Sequence, residues 1–303
     1  MNKHNYNSEN TSEDDFRVLG QPEKKRFNKK KVIIALLTFI ALLFCVAIIM
    51  LSLQKPTVKP VSEQLDVFLN KQSDDLKLSY AEKLDIKIDD TIDALNLTLY
   101  IPRNAIPDVT IGSPGTTNLT EEAVLAFRAA NLHPDSSLVD CFVCNGVVLQ
   151  PDTISPPVHK GFCAIIDGVI TIGTADSTSL FEEAIIRKGS FFRQHSLVAD
   201  GNVTANMKGE VYKTKTFRRA LCQRGNQVFV VACDDISMRR LAQVLVDLGV
   251  DNAIYLIGGH NQKTFNGWWR DKKDDIELFR KTDEYIKYKL ENYIVWKKVR
   301  AIN

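Results

Sequence analysis

The sequence predicts a mixed α/β ectodomain, an α+β arrangement with a mixed, partly parallel sheet and packed helices, behind one amino-terminal transmembrane helix. Three observations predict the fold. Residues 228–233 form a short apolar run rich in β-branched side chains, bounded by Gly225-Asn226 and Asp234-Asp235 and too short for a buried helix. Met238, Leu241, Leu245 and Leu248 then recur three or four residues apart. They share one face of a helix opened by Asp234, Asp235 or Ser237 and closed at Gly249. Residues 253–257 form a second apolar run, ended by Gly258-Gly259. Strand, helix and strand with short joints read as a right-handed crossover between parallel strands lying side by side. In an open sheet the ligand crevice lies beyond the carboxyl ends of such strands. There the acidic turn Asp234-Asp235 and the loop Gly258-Gly259-His260-Asn261 are expected to converge.

The composition, 45% hydrophobic, 25% charged and 9% aromatic, is that of an ordinary globular protein and excludes a disordered or disulfide-dense chain. A formal net charge of +2 points to no partner, and no nucleic acid is expected. The near balance hides a local asymmetry. Lys24, Lys25, Arg26, Lys29, Lys30 and Lys31 crowd in front of residues 32–53, which carry no charge and are apolar except for Thr38 and Ser52. A helix of that length covers a hydrocarbon core of about 30 Å. Only Lys55 and Lys59 follow closely, so the positive-inside rule places residues 1–31 in the cytoplasm and the rest outside, periplasmic in a bacterium. A cleaved signal peptide fits less well, because the apolar run is too long and no small-x-small site follows it. Cys45 is expected to face lipid. Residues 1–31 read as a disordered tail, residues 54–60 as a stiff Pro-containing spacer, and residues 61–303 as one ectodomain with a sizeable core.

Within the ectodomain, Val61, Leu65, Phe68 and Leu69 keep helical spacing, so a short helix is expected to open it. Residues 86–101 alternate as strands do, with Leu95, Leu97 and Leu99 facing the core. Residues 120–132 begin with Thr120, Glu121 and Glu122 and read as a helix with Val124, Leu125, Phe127 and Ala130 apolar. Residues 138–148 are an apolar run interrupted by Asn145-Gly146, and residues 161–173 are a β-hairpin turning through Asp167-Gly168 in a type I′ turn. A second Asp-Gly pair, Asp200-Gly201, follows residues 196–199. The charged segment 270–291 reads as a solvated helical face, and residues 292–299 as a last strand.

Chemistry-bearing residues are scattered. Five cysteines lie outside the apolar helix, and Cys141-x-x-Cys144 sits in a strand-like run where positions three apart face opposite ways, so buried apolar thiols are expected. The five histidines show no metal-binding spacing, and neither metal nor cofactor is expected. Arg218-Arg219 could hold a phosphate bidentately or stand as a solvated edge pair. Gly258-Gly259 could bring backbone N–H groups to an anion or form a plain turn. Trp268-Trp269 could stack on a sugar or fill the core.

In order and spacing these pieces resemble the phosphodiester glycosidase family, whose pattern runs Asn-Gly-Gly-Phe, an Asp-Gly hairpin, Leu-Val-x-Asp-Gly, Arg-Thr-Ala-Ile-Gly, a crossover helix and Asp-Gly-Gly-Gly-Ser. The corresponding segments are Asn145-Gly146-Val147, the Asp167-Gly168 hairpin, Leu197-Val198-Ala199-Asp200-Gly201, Arg218-Arg219-Ala220-Leu221-Cys222 and Ile257-Gly258-Gly259-His260-Asn261. The resemblance covers about residues 90–300. It departs at Ile257, His260 and Asn261, where the family carries its acid, third glycine and serine, and at Val147. It implies a hydrolase acting on a glycan or sugar-phosphate substrate. Arg218 would hold the phosphate, Asn145, Gly146, Gly258, Gly259 and Asn261 would orient it, and Asp234 or Asp235 with His260 would supply acid–base function. The alternative, suggested by loss of the acid at Ile257, is a glycan- or phosphate-binding module without turnover, and a third class is a structural envelope protein.

Overall fold

A computed structural model of the chain describes residues 29–53, 59–70, 81–88, 94–112, 122–153, 156–205, 207–258, 267–270, 276–278 and 290–298. Two compact units are distinguished, residues 1–55 and 56–303. The first holds helix α1 (Lys29–Leu53), whose described side chains, Ile33, Leu36, Leu37, Phe39 and Phe44 among them, are exposed. No helix among the described residues is long and apolar enough to cross a membrane. The transmembrane helix expected from residues 32–53 stays an expectation from sequence. The expected tail and most of the spacer lie outside the described residues.

The second unit runs α2 (Lys59–Leu69), β1 (Ala81–Ile88), β2 (Leu95–Pro102), β3 (Ala105–Ile111), β4 (Ala123–Arg128), β5 (Phe142–Cys144), β6 (Val147–Gln150), β7 (Gly161–Ile166) and β8 (Val169–Thr174). It continues with α3 (Leu180–Ile186), β9 (Ser190–Gln194), β10 (Ser196–Ala199), β11 (Asn202–Val203), α4 (Glu210–Lys213), β12 (Thr216–Arg224) and β13 (Gln227–Ile236). Last come α5 (Met238–Asp247), β14 (Asn252–Leu256), β15 (Gly267–Arg270), β16 (Ile276–Leu278) and β17 (Asn292–Lys298). Three sheets result: β1-β2-β13-β12-β14-β10-β11, then β16-β15-β4-β17-β3, then β6-β5-β9-β7-β8.

The seven-stranded sheet sits in the middle. One face packs on α2 and α5, with Leu97, Leu99, Val231 and Cys233 against Leu65, Leu241 and Leu245. Its other face, through Leu221, Val230 and Ile254, meets Phe127, Ile294 and Trp296 of the second sheet and Cys163 and Phe192 of the third. Met238, Leu241, Leu245 and Leu248 are all within 1% of full burial, so the predicted helical stripe is the buried face of α5, and Ser237 is its cap, accepting from Arg240 N at 3.2 Å. The opening helix α2 buries Leu65 and Leu69 and ends on Arg103, whose guanidinium donates to Phe68 O and Leu69 O while pairing with Glu82.

Two expectations are corrected. The expected mixed, partly parallel sheet has antiparallel neighbours throughout, because β12 lies between β13 and β14 and pairs antiparallel with each. The two flanking strands do run the same way, but α5 carries the chain over one intervening strand. That strand is supplied by the tight hairpin at Gly225-Asn226, where Arg224 pairs with Gln227 and Gly225 has φ 54°. The expected helix over residues 120–132 is instead β4, buried at every position from Ala123 to Arg128. A strand covered on both faces reads as a continuous apolar run, which periodicity alone does not separate from a buried helix.

The Asp-Gly turns fold as expected. Asp167 and Gly168 have φ 51° and 76°, and Asp200 and Gly201 have 49° and 73°. Asn145-Gly146 makes a third such turn, at 50° and 80°, so the run 138–148 contains a hairpin rather than one strand. Most of the charged segment 270–291 lies outside the described residues, and the part within it, β16, is a strand.

Candidate functional site

At one end of the central sheet, Arg218 pairs with Cys233 and Arg219 with Leu256. The β12–β13 register slips between Thr216 and Arg218, so Asp234 and Asp235 form an exposed bulge, with Asp235 at φ 50°. Gly258 follows β14 at the same end. Its N–H donates to the Tyr255 hydroxyl at 3.1 Å, and a Cβ there would come within 2.8 Å of Phe217 O, so only glycine fits. The acidic turn, Gly258 and Arg218 thus share one rim, although their strands are not all immediate neighbours. Gly259, His260 and Asn261 lie outside the described residues.

Asn145 and Gly146 are not in this group. Asn145 N donates to Ser190 Oγ at 3.0 Å and Gly146 N to Gly189 O at 2.7 Å, both at the start of β9. Residues near Arg218 gather beyond the far end of β9, about 16 Å along a five-residue strand. A left-handed hairpin turn accounts for both residues, since Asn and Gly tolerate its positive φ.

Arg218 is 6% exposed, which rules out a solvated edge residue. Its Nη2 donates to Val211 O at 3.0 Å and Thr214 O at 2.9 Å, closing the carboxyl end of α4, and its guanidinium lies 5.6 Å from the Tyr255 ring. The Nε of Arg218 is buried with no partner. Arg219 points to the opposite face of the sheet, between the rings of Phe217 and Phe127.

Beside Arg218 stand residues that periodicity and motif reading did not single out. His195 follows β9, and its Nδ1 is 2.8 Å from the Tyr212 hydroxyl. Its ring meets that of His159 edge-on at 4.1 Å and that of Tyr255 at 6.2 Å. His159 Nδ1 lies 2.5 Å from Asp140 Oδ2, and Asp140 also accepts from the backbone N–H groups of Val158 and His159. A buried carboxylate on Nδ1 leaves Nε2 as the working nitrogen of His159. Burial, then the neighbouring His159 and Arg218, push His195 down to about 3 against the opposing effect of Asp140. His195 is therefore a neutral imidazole at neutral pH. Ser196, next in the chain, links Thr174 at 2.6 Å and Thr204 at 2.7 Å through its hydroxyl.

The other candidates resolve as packing. All six cysteines are free, and Cys141 and Cys144 pack in different hydrophobic clusters, on opposite faces as their spacing predicts. Burial pushes the Cys141 and Cys233 thiols up to about 12 and Cys144 to about 11, so these are poor nucleophiles. Trp268 is buried and Trp269 leans on Tyr100 at 6.4 Å, which makes both core aromatics. No cluster of three or more metal-ligating side chains occurs among the described residues.

Residues 122–286, more than half of the 303-residue chain, match the phosphodiester glycosidase family pattern. No curated protein matches the sequence. Among solved structures, the catalytic domain of zebrafish N-acetylglucosamine-1-phosphodiester alpha-N-acetylglucosaminidase, auto-inhibited by its pro-peptide, superposes with a TM-score of 0.51 at 12% identity. That match covers 73% of this chain and 83% of the zebrafish one, and at such identity it speaks for the fold. A hypothetical protein from Synechocystis matches at TM-score 0.49 and 10% identity, over 72% of this chain and 62% of its own.

Proposed function

The chain belongs to the phosphodiester glycosidase family, and from that premise we propose that it is a membrane-anchored, extracytoplasmic hydrolase cleaving the bond between a sugar and a phosphodiester of a glycoconjugate. The observation that carries this reading is the buried Arg218 guanidinium, with an unpartnered Nε, near the His195 imidazole, whose ring meets that of His159, itself held by the buried Asp140 carboxylate. The phosphate side of the substrate is a good leaving group and needs fixed donors more than a proton. Arg218 supplies them, and the neutral His195 adds a polar contact without a competing charge.

The sugar side develops an oxocarbenium-like centre that a carboxylate stabilises or a base-activated water attacks. Asp234 and Asp235, one and two residues past the partner of Arg218, are the carboxylates at the rim. His159, held by Asp140, is the base: Nε2 takes a proton from water, the water oxygen bonds to the anomeric carbon, and the sugar–oxygen bond breaks toward phosphate. The products are free sugar and the phosphomonoester of the aglycone. His260, beyond the described residues, is a further acid–base candidate, on the loop that follows Gly258.

The second reading, binding without turnover, is favoured by Ile257, which stands where the family carries an acid. The test is sugar release by the purified full-length chain, starting with an N-acetylglucosamine-1-phosphodiester because the zebrafish enzyme's name points there. Turnover that falls ~10²-fold or more in Arg218→Lys supports hydrolysis, since losing one charge-stabilising donor costs that much. Saturable binding with no release supports the binding module.

Membrane anchoring rests on residues 24–53, a basic cluster before an uncharged apolar run. The amino terminus is cytoplasmic and the anchor is single-pass.

A further inference from the structure

Between β11 and β12 the chain lays one short helical turn, α4, against the rim that holds Arg218. A four-residue turn does not stand by itself, because its few internal bonds do not offset the ordering of its backbone. It is held from outside instead. Arg239 Nη2 donates to Met207 O at 2.6 Å ahead of it, and Arg218 Nη2 donates to Val211 O and Thr214 O on either side of Tyr212. The Tyr212 ring packs on the core of the central sheet and lies edge-on to the His195 ring at 5.2 Å. Backbone and ring together fix the place of the Tyr212 hydroxyl. Among the described residues its one hydrogen-bond partner is His195 Nδ1, at 2.8 Å.

The direction of that bond decides which nitrogen of His195 keeps the ring hydrogen. Burial holds the Tyr212 phenol above its ordinary value, so it stays protonated, and the neutral His195 has a single N–H. A phenol that donates to Nδ1 satisfies its own hydrogen and the imidazole lone pair at once, and leaves the ring N–H on Nε2. The reverse bond, from Nδ1–H to the phenol oxygen, leaves the phenol hydrogen without an acceptor among the described residues. The first arrangement satisfies more groups. Tyr255 lies against both His195 and Arg218, its ring 6.2 Å from the imidazole and 5.6 Å from the guanidinium, which places the two donors close to one another.

We propose that Tyr212 is a positioning residue for this site: its hydroxyl donates to Nδ1 and holds His195 as the tautomer whose Nε2–H is a second donor, beside Arg218, for a substrate phosphate oxygen. The use of that donor rests on the reading of the Arg218 pocket as a phosphodiester site, whereas the tautomer does not. Arg218 then acts twice, as an anion donor and as the clamp that keeps α4, and with it Tyr212, in place.

The test is ¹⁵N NMR of the full-length chain in detergent, labelled on histidine, with two-bond ¹H–¹⁵N correlations that distinguish the two neutral tautomers. His195 is identified by the signal missing in His195→Gln. At neutral pH the wild-type chain should show the Nε2–H pattern for His195. Tyr212→Phe keeps the ring and loses only the hydroxyl, and it should turn that pattern into a mixture of tautomers while the other histidine signals, unchanged, report a folded chain. The same variant should raise the KM for an N-acetylglucosamine-1-phosphodiester, or the Kd where nothing is released, about tenfold with little change in kcat, since a donor to a charged oxygen is lost from ground and transition state alike. An Nδ1–H pattern in the wild-type chain, an unaltered pattern in Tyr212→Phe, or unaltered KM and Kd in that variant would each overturn the proposal. A chain that shows the tautomer change but neither binds nor cleaves a sugar phosphodiester contradicts the proposed function, and the hold of Tyr212 on His195 stands.

Discussion

Asp140 accepts three hydrogen bonds, two from backbone N–H groups and one from the His159 ring, and this fixes the imidazole more than any contact of His159 itself. Replacing Asp140 by Asn preserves the shape but offers an amide where the ring N–H needs a carboxylate. Turnover should drop by ~10²–10⁴-fold, the range for a general base, with little change in KM. Unchanged kcat in a steady-state assay of Asp140→Asn would remove His159 from the reaction.

His195 carries a second residue-scale prediction. Its unfolded value lies near 6.5 and its folded value at about 3. Between these limits the unfolded chain binds a proton that the native state refuses. Stability is therefore complete above pH 6.5 and declines as pH falls toward 3, by at most ~1.4 kcal/mol per pH unit from this group. His195→Gln should flatten the change in urea midpoint between pH 6.5 and 4. None of Asp140, His159 or His195 was legible in the sequence as a group, because each stands alone in a different segment and only folding brings the rings to 4.1 Å. Arg218 was legible as a phosphate candidate, but not its burial.

Among the elements, α5 was readable to within a residue or two because its apolar stripe has helical period and its cap is a serine. β4 was misread because acids precede it and every position is buried, which erases the two-residue alternation. The crossover was half-readable: the common direction of β13 and β14 shows in the strand–helix–strand order, but nothing local reveals that β12 inserts between them. Glycines separate backbone cost from steric cost at this scale. Gly201, at φ 73°, has nothing within 4 Å of the point where a Cβ would sit, so Gly201→Ala should cost ~1 kcal/mol from backbone strain alone. Gly267, at φ 124°, would push a Cβ to 1.9 Å from Ala126 O and part β15 from β4, so Gly267→Ala should cost several times more. Equal denaturation midpoints for the two variants would contradict the β4–β15 pairing.

For the whole molecule, the central sheet takes helices on one face and two further sheets on the other, and the candidate site lies at the rim where β12 begins and β13 and β14 end. The carboxyl-end rule found that rim from sequence even though the sheet is antiparallel, since the two strands it relied on do run together. The proposed membrane segment rests on hydropathy and flanking charge alone. The full-length protein should stay with membranes through an alkaline carbonate wash and leave them only in detergent, whereas residues 56–303 alone should partition into the aqueous fraction. Release of the full-length chain by carbonate would refute the anchor.

The reaction itself is tested most directly by the fate of solvent oxygen. Incubated with a sugar-1-phosphodiester in ¹⁸O water, the full-length chain should place the label on the sugar's anomeric hydroxyl and none on the phosphomonoester, read by mass spectrometry. Label in the phosphate would mean attack at phosphorus, and release of neither product would mean that the Arg218 pocket binds its ligand without cleaving it.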